Sequence, residues 1–477
     1  MDDINKIVTH LISSPAGGGR EHAGSVYFLG IGGIGMSALA RFFKSKGLVV
    51  SGYDKTETVL TKKLAAEGIA VHYEDSLEFI DKEAELVVYT PAVPKDHRGL
   101  NYFMENNYNL AKRSEVLGAV TNDSYNICVA GTHGKTTTST MVAHILRHSG
   151  YGCTAFLGGI AVNYNSNFWL QAPGAGSDKK VSVVEADEYD RSFLTLSPDV
   201  AIISSMDADH LDIYGTAGNM EQAFIDFSAR IKPEGILLSK YGLKRTEDLQ
   251  ADSHLTFHLQ NENADIYAAD IKMAKGSYHF DVIMQYWELK EVELNMGGLH
   301  NIENMIAAIS VAHYLGIDNG KIKEAVAAFR GVKRRFEYVV KNDNLVMVDD
   351  YAHHPEELRA LLSGAKALFP DKKCTVIFQP HLYSRTRDFA EGFAEVLDGA
   401  DELILLPIYP ARELPIEGVN SEMILGKMKN KNKRVLEKTE LLEWIKNNKT
   451  ELLITAGAGD IDTLVEPIKN SIEENFG

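Results

Sequence analysis

The stretch that most constrains this chain is residues 129–138, Val-Ala-Gly-Thr-His-Gly-Lys-Thr-Thr-Thr. Residues 125–130 form a short apolar run of strand type. After the loop, Met141, Val142, Ile145 and Leu146 repeat at helical spacing. Strand, glycine loop and helix in that order is the setting a nucleotide phosphate site needs. Gly131 and Gly134 let backbone N–H groups approach phosphate oxygens with no Cβ in the way. Lys135 can pair with the β- and γ-phosphates, and Thr136 stands where a hydroxyl ligates Mg²⁺. The helix N-terminus adds a dipole that favours anions. The general form of this loop has a glycine five residues before the Gly-Lys pair. Here that position is Val129, so the loop is the shorter Gly-x-x-Gly-Lys-Thr.

A chain of 477 residues is too long for one core, and two to four domains are expected. No run approaches 18 apolar residues, so no membrane span is expected. Residues 1–24 lack a cationic start followed by an apolar core and do not read as a signal peptide. Ile4, Ile7, Val8, Leu11 and Ile12 fit one short helix, with a flexible joint at 13–19. Cys128, Cys153 and Cys374 are widely spaced and odd in number, which gives no disulfide framework, no zinc pattern and a fit to a reducing compartment. Cys128, in the strand before the loop, reads as a packing residue. The formal net charge of −17 argues against a nucleic-acid surface. Anionic substrates must therefore be met by local cations and metal.

A second glycine loop lies upstream. Residues 26–30 read as a strand, Gly30-Ile31-Gly32-Gly33-Ile34-Gly35 follows, then a helix at 36–46 and a strand at 48–53 that ends in Asp54. This is a Rossmann-like opening with an acid about 20 residues beyond the glycines. Gly32, Gly33, Ile34 and Gly35 are expected at a diphosphate. Asp54 is expected at a ribose or base, or else is a turn residue; the pattern alone does not choose between NAD and UDP.

Beyond the phosphate loop, the strand 180–185 ends in Glu185-Ala-Asp-Glu-Tyr-Asp190. The strand 199–204 ends in an acidic stretch holding His210. Both clusters fall at the strand ends where an α/β sheet places its ligands. Glu185 and His210 are expected to ligate a second Mg²⁺. Residues 163–180 are polar and rich in Gly and Asn and read as a mobile loop. Residues 237–265 are weakly patterned, and 266–295 alternate as β-hairpins, in the manner of a small antiparallel sheet. His300, Asn301 and Asn304 open a helix, either as caps or as hydrogen-bond partners of an adenine edge or phosphate. Lys333, Arg334 and Arg335 place three cations at a boundary, which suggests phosphate closure. A third α/β unit then carries Asp350, His353, His354 and Arg385 at its strand ends.

The short loop with His133 inside it resembles that of the Mur ligase family, which couples ATP hydrolysis to amide-bond formation. Seven further pieces match in order: 30–36, 185–190, 209–212, 300–304, 334–336, 350–355 and 379–388. Together they resemble the alanine-adding branch. The resemblance implies an α/β protein of three domains. After an N-terminal extension at 1–24, these are a Rossmann-like UDP-sugar domain at 25–121, a central ATP-binding parallel-sheet domain at 122–330, and a Rossmann-like amino-acid domain at 331–477. It implies ATP, UDP-N-acetylmuramate and L-alanine as substrates, two Mg²⁺ ions and a bacterial cytoplasmic setting, with neither nucleic acid nor membrane as partner; monomer and homodimer stay open.

Carried over, Gly131, Thr132, His133, Gly134, Lys135, Thr136 and Thr137 hold the phosphates, and Thr136, Glu185 and His210 hold metal. His300, Asn301 and Asn304 serve ATP or its metal. Arg335 and Asp350 reach the nucleotide from the third domain, with Arg334 an alternative to Arg335. His353 and Arg385 meet the alanine carboxylate and the muramyl group. Several sister ligases place a carbamylated lysine some 15 residues after the His210 position. No lysine occurs here between His210 and Lys232, which fits the alanine branch. One rival is a recycling ligase that adds the tripeptide L-Ala-D-Glu-diaminopimelate to the same sugar. Others are an NAD-dependent oxidoreductase and a non-catalytic nucleotide-binding module. The oxidoreductase leaves the phosphate loop, Glu185 and His210 without a role.

Overall fold

The computed structural model describes residues 2–13, 23–411 and 413–476. The N-terminal helix Asp2–Ser13 forms as its spacing suggests and buries Val8 and Leu11. From residue 14 to 19 the expected joint lies outside the described residues.

Three sheets follow in chain order. The first has five parallel strands, in the order Ala70–His72, Val49–Tyr53, Ser25–Leu29, Leu86–Tyr89, Leu110–Lys112. Ser25–Leu29 is buried on both faces, as an apolar run in a covered parallel sheet must be. The glycine loop leaves its C-terminal end and enters the helix Ile34–Ser45.

The second sheet has ten strands. Its middle is parallel: Ile236–Lys240, Val200–Ile203, Tyr125–Ala130, Val181–Glu185 and Thr154–Ala161 lie side by side. Tyr125–Ala130 feeds the phosphate loop, and the helix Lys135–His148 follows, buried over most of its length. The sheet is not wholly parallel. The hairpins Ile266–Ala274, Ser277–Met284 and Trp287–Leu294 form as the alternation suggests, but not as a separate sheet. Ile266–Ala274 pairs with Ser253–His258, so they extend the central one. The weakly patterned region 237–265 supplies two of these strands.

The reading of 163–180 as a loop fails at 166–169 and holds for the irregular stretch 170–180. Ser166–Trp169 is the edge strand of the central sheet, antiparallel to Thr154–Ala161. Asn167 within it is fully buried. A buried amide must have partners, and these come from the first unit: Ile34, Ser37 and Arg41.

The third sheet has six strands, ordered Glu337–Lys341, Val346–Asp350, Leu452–Ala456, Cys374–Phe378, Glu402–Leu405, Lys433–Val435. All are parallel except the first, which is antiparallel to its neighbour. The three cysteines are free and buried. Burial raises their thiols, those of Cys153 and Cys374 to about 12 and that of Cys128 further. Among the described residues no helix is long and apolar enough to cross a membrane.

Candidate active site

A cavity of about 720 Å³ lies between the first unit and the central one. One end is walled by Gly30, Gly33, Ile34, Gly35, Tyr53 and Asp54. The other is walled by Gly158, Glu185, Asp187 and Asp190, with Lys112 and Arg113 between. The two cations approach the central unit's acids: Lys112 lies 3.5 Å from Asp190, and Arg113 lies 3.6 Å from Asp187. Arg113 also packs on the glycine loop, with Nη1 2.8 Å from where a Cβ on Gly35 would stand. Neither was singled out from sequence.

Asp54 lines the cavity, but both its oxygens are turned to backbone. Oδ2 accepts the Gly32 N–H at 2.8 Å and Oδ1 accepts the Thr56 N–H at 3.2 Å. Asp54 thus braces the glycine loop while still lining the cavity. It commits the Gly32 amide, and Gly33 N–H is spent on the Gly30 carbonyl at 3.1 Å. The N–H groups of the first helical turn, at Ile34 and Gly35, have no intrahelical acceptor, and a helix start of this kind suits an anion.

The phosphate loop is held from two sides. Ser205 Oγ accepts the His133 N–H and pairs with Thr132 Oγ1, both at 2.8 Å. A Cβ at Gly131 would collide with Ser204, and one at Gly134 would stand 2.8 Å from Asn304 Oδ1. Both glycines have positive φ, 131° and 83°, where a side chain is strained. Thr137 is buried behind the loop, while His133 is exposed, 3.9 Å from Asp207.

Lys135 donates to the Gly131 carbonyl at 2.8 Å and to Glu188 Oε1 at 2.7 Å. Glu188 was hidden among the acids of its cluster; only burial separates it, at 1% side-chain exposure, and its Oε2 has no partner. Burial raises its carboxyl pKa, and the Lys135 ammonium opposes this. Thr136 Oγ1 donates to Glu185 Oε1 at 2.9 Å, and the Gly158 N–H donates to Oε2 at 2.9 Å. A hydroxyl and a carboxylate in contact beside the phosphate loop are hard oxygen donors that fit Mg²⁺. The pairing of Glu185 with His210 is not formed. His210 Nε2 lies 3.6 Å from Asp209 and 4.0 Å from Glu188, because its backbone turns through φ 48° at the start of a short helix. Among the described residues no three His, Cys, Asp or Glu side chains gather as a metal centre.

Helix packing brings Asn304 onto the phosphate loop. Asn301 is turned away: its amide donates to the Gly297 carbonyl at 2.6 Å, and its oxygen accepts from Asn304 at 3.1 Å. Asn301 is therefore neither a cap nor turned to the loop: it bonds back to the chain before the helix and orients Asn304. His300 stands at the helix start with its pKa lowered. Desolvation is the main cause, Glu303 opposes it, and the Arg335 and Lys240 cations lower it further.

Residues 331–336 join the central unit to the third. Val162 N–H donates to the Gly331 carbonyl at 3.1 Å, and Lys333 N–H donates to the Ile160 carbonyl at 2.9 Å. The two arginines separate here. Arg334 folds back onto the Gly457 carbonyl, Asp462 at 3.5 Å and the Tyr351 ring at 4.8 Å. Arg335 is exposed and its charge acts on both His300 and Asp350. Asp350 does not reach outward. Its Oδ2 accepts the Phe336 N–H at 2.6 Å and its Oδ1 the Ala352 N–H at 2.7 Å. Burial raises its pKa to about 6, against those two bonds and Arg335. In this arrangement Asp350 clasps the joint between the central and third units.

His353 and Arg385 meet around His381. The two imidazole rings lie 6.1 Å apart, and Arg385 Nη1 is 3.5 Å from His381 Nδ1. None of the three lines the cavity between the first two units.

Two glycine loops at parallel strand ends, one with a lysine, a hydroxyl and a carboxylate, define a nucleotide-dependent phosphoryl-transfer protein. Family comparison makes the class specific: the chain belongs to the Mur ligase family. The models of its catalytic domain, middle domain and glutamate ligase domain match residues 25–125, 129–312 and 334–461. The chain is 48% identical to the UDP-N-acetylmuramate–L-alanine ligase of Cytophaga hutchinsonii, over 96% of this chain and 98% of that one. It is 47% identical to the enzyme of the same name from Flavobacterium johnsoniae, over 95% and 98%. The crystal structure of UDP-N-acetylmuramate-alanine ligase MurC from Thermotoga maritima superposes with a TM-score of 0.79 at 30% identity, covering 94% of this chain and 98% of that one. A murein peptide ligase from Psychrobacter arcticus shares the fold, with a TM-score of 0.65 at 22% identity over 94% of this chain and 98% of that one.

Proposed function

We propose that the protein joins L-alanine to the lactyl carboxylate of UDP-N-acetylmuramate with cleavage of ATP to ADP and phosphate, a step of peptidoglycan synthesis. The observation that carries this is the cavity, which runs from the upstream glycine loop to Glu185 beside the phosphate loop. A sugar nucleotide anchored by its diphosphate at Ile34 and Gly35 presents its far end to the γ-phosphate of ATP.

A carboxylate is a poor electrophile, and phosphorylation supplies the leaving group. The muramyl carboxylate attacks the γ-phosphate and gives an acyl phosphate; the alanine amine attacks that carbonyl and phosphate leaves. Two anions must approach, so charge neutralisation and positioning dominate. The loop N–H groups at residues 131–137 hold the triphosphate. Lys135 exchanges the Gly131 carbonyl and Glu188 for phosphate oxygens. Thr136 and Glu185 hold Mg²⁺, which when bound neutralises phosphate charge, and His210 stands by for a second ion. Asn304 fixes the loop at Gly134. Arg335 is the cation free to approach the nucleotide, and Arg385 with His353 receives the alanine carboxylate once the third unit closes. Both loops and the third-unit cluster come from one chain, and two nucleotide substrates with buried reduced thiols suit a cytoplasmic setting.

The test is ADP release with Mg²⁺, ATP and UDP-N-acetylmuramate, with L-alanine in one tube and the tripeptide L-Ala-D-Glu-diaminopimelate in another. Turnover with alanine alone is expected. Turnover with the tripeptide alone moves the chain to the recycling reaction, and silence in both rejects the substrate assignment.

A further inference from the structure

Among the contacts between the first unit and the central unit is one fully buried amide, that of Asn167. Asn167 Nδ2 donates to the Ile34 carbonyl at 2.6 Å and to Ser37 Oγ at 3.1 Å. Its Oδ1 accepts from Arg41 Nη1 at 2.6 Å. Arg41, itself 8% exposed, is fixed in turn by Glu67, at 2.6 and 3.1 Å. Asn167 thus uses both amide donors and its acceptor, and no other side chain of that size offers both.

The place of these bonds matters more than their number. Ile34 is the first residue of the helix that leaves the glycine loop, and it lines the cavity. Asn167 belongs to the edge strand paired with Thr154–Ala161, and that strand carries Gly158, whose N–H holds Glu185. One side chain therefore ties the diphosphate end of the cavity to the strand that orients the carboxylate at its other end. We infer that Asn167 is a positioning residue for the sugar nucleotide: it sets the glycine-loop helix in register with Glu185, and so the far end of the substrate with the phosphate loop. This rests on the function proposed above. Misplacement of about 1 Å in such a register costs on the order of 100-fold in rate.

The experiment compares steady-state kinetics of the full chain with Asn167→Leu and Ser37→Ala variants. Ser37→Ala removes one contact to Asn167 without adding bulk to a buried site. For Asn167→Leu the KM for UDP-N-acetylmuramate is expected to rise about tenfold or more, and kcat/KM to fall about 100-fold. ATP affinity, measured by titration calorimetry, stays within about twofold. Ser37→Ala shows the same selectivity at smaller size. A role in stability alone lowers the melting temperature and leaves both constants of the folded fraction unchanged, which overturns the inference. An equal rise in both constants overturns it too. Should Asn167→Leu fail to fold, an unchanged sugar-nucleotide KM in Ser37→Ala decides against it. A wild-type chain without turnover rejects the proposed function instead, so the two failures are distinct.

Discussion

On the proposed function, the two glycine loops bind the same chemical group by different means. The upstream loop offers backbone N–H groups at a helix start, with Asp54 bracing it from behind. The phosphate loop adds an ammonium, a hydroxyl and a carboxylate, and holds them in pairs, Lys135 with Glu188 and Thr136 with Glu185. A phosphate that only anchors a substrate can be held by backbone N–H groups, with a cation such as Arg113 packed beside them. A phosphate that is transferred changes its charge distribution on the way, and needs charged groups that are stronger partners in the transition state than in the ground state. The difference between the loops is therefore a difference between holding and reacting.

Four variants test this contrast. Lys135→Ala should lower turnover by about 10³-fold or more while leaving the Kd for the sugar nucleotide within about threefold. ADP release and titration calorimetry read the two quantities. Equal loss of both would mean that the loops have been assigned the wrong way round. Glu185→Gln should lower turnover by about 10²-fold or more and raise the Mg²⁺ concentration for half-maximal rate. A magnesium titration unchanged from wild type would remove Glu185 from the metal.

Asp54→Ala acts on the holding loop. It frees the Gly32 amide, and the KM for the sugar nucleotide should rise about tenfold with the KM for ATP unchanged. A matching change in the ATP constant would break the contrast. The smallest kinetic effect is expected from Asp349→Asn, which touches neither loop. Asp349 is buried against Thr455, and burial raises its carboxyl pKa to about 7 although Thr455 and Arg334 oppose it. The folded chain keeps that proton where the unfolded chain has lost it. Its contribution to stability is full below about pH 4 and is lost as pH rises through about 7. Melting temperatures at pH 5 and pH 7.5 should differ less in the variant than in wild type. An unchanged difference would remove Asp349 as the source.

Both loops were legible because glycine spacing between a strand and a helix leaves few alternatives. The acids at strand ends were legible for the same reason: in a parallel sheet, the sequence position after a strand is also a position at the ligand edge. What escaped was decided by burial. Glu188 is set apart from its acidic neighbour Asp187 by being inside. Asn167 sits in a stretch that reads as loop because its inward residue is polar; pairing with Thr154–Ala161 makes it a strand, and partners across the interface satisfy the amide. Asp54, Asn301 and Asp350 have the residue types of ligands, yet Asp54 and Asp350 accept from nearby backbone and Asn301 is bonded to backbone and to Asn304. The choice between Arg334 and Arg335 depended on the long-range Gly457 carbonyl, 123 residues away.

The three cysteines, buried and held in the thiol form at neutral pH, give the chain a surface silent to maleimide dyes. The unmodified protein is its own blank. Dyes attached through Glu57→Cys and Glu391→Cys, at exposed positions of the first and third units, would report the distance between those units in single molecules as each substrate is added.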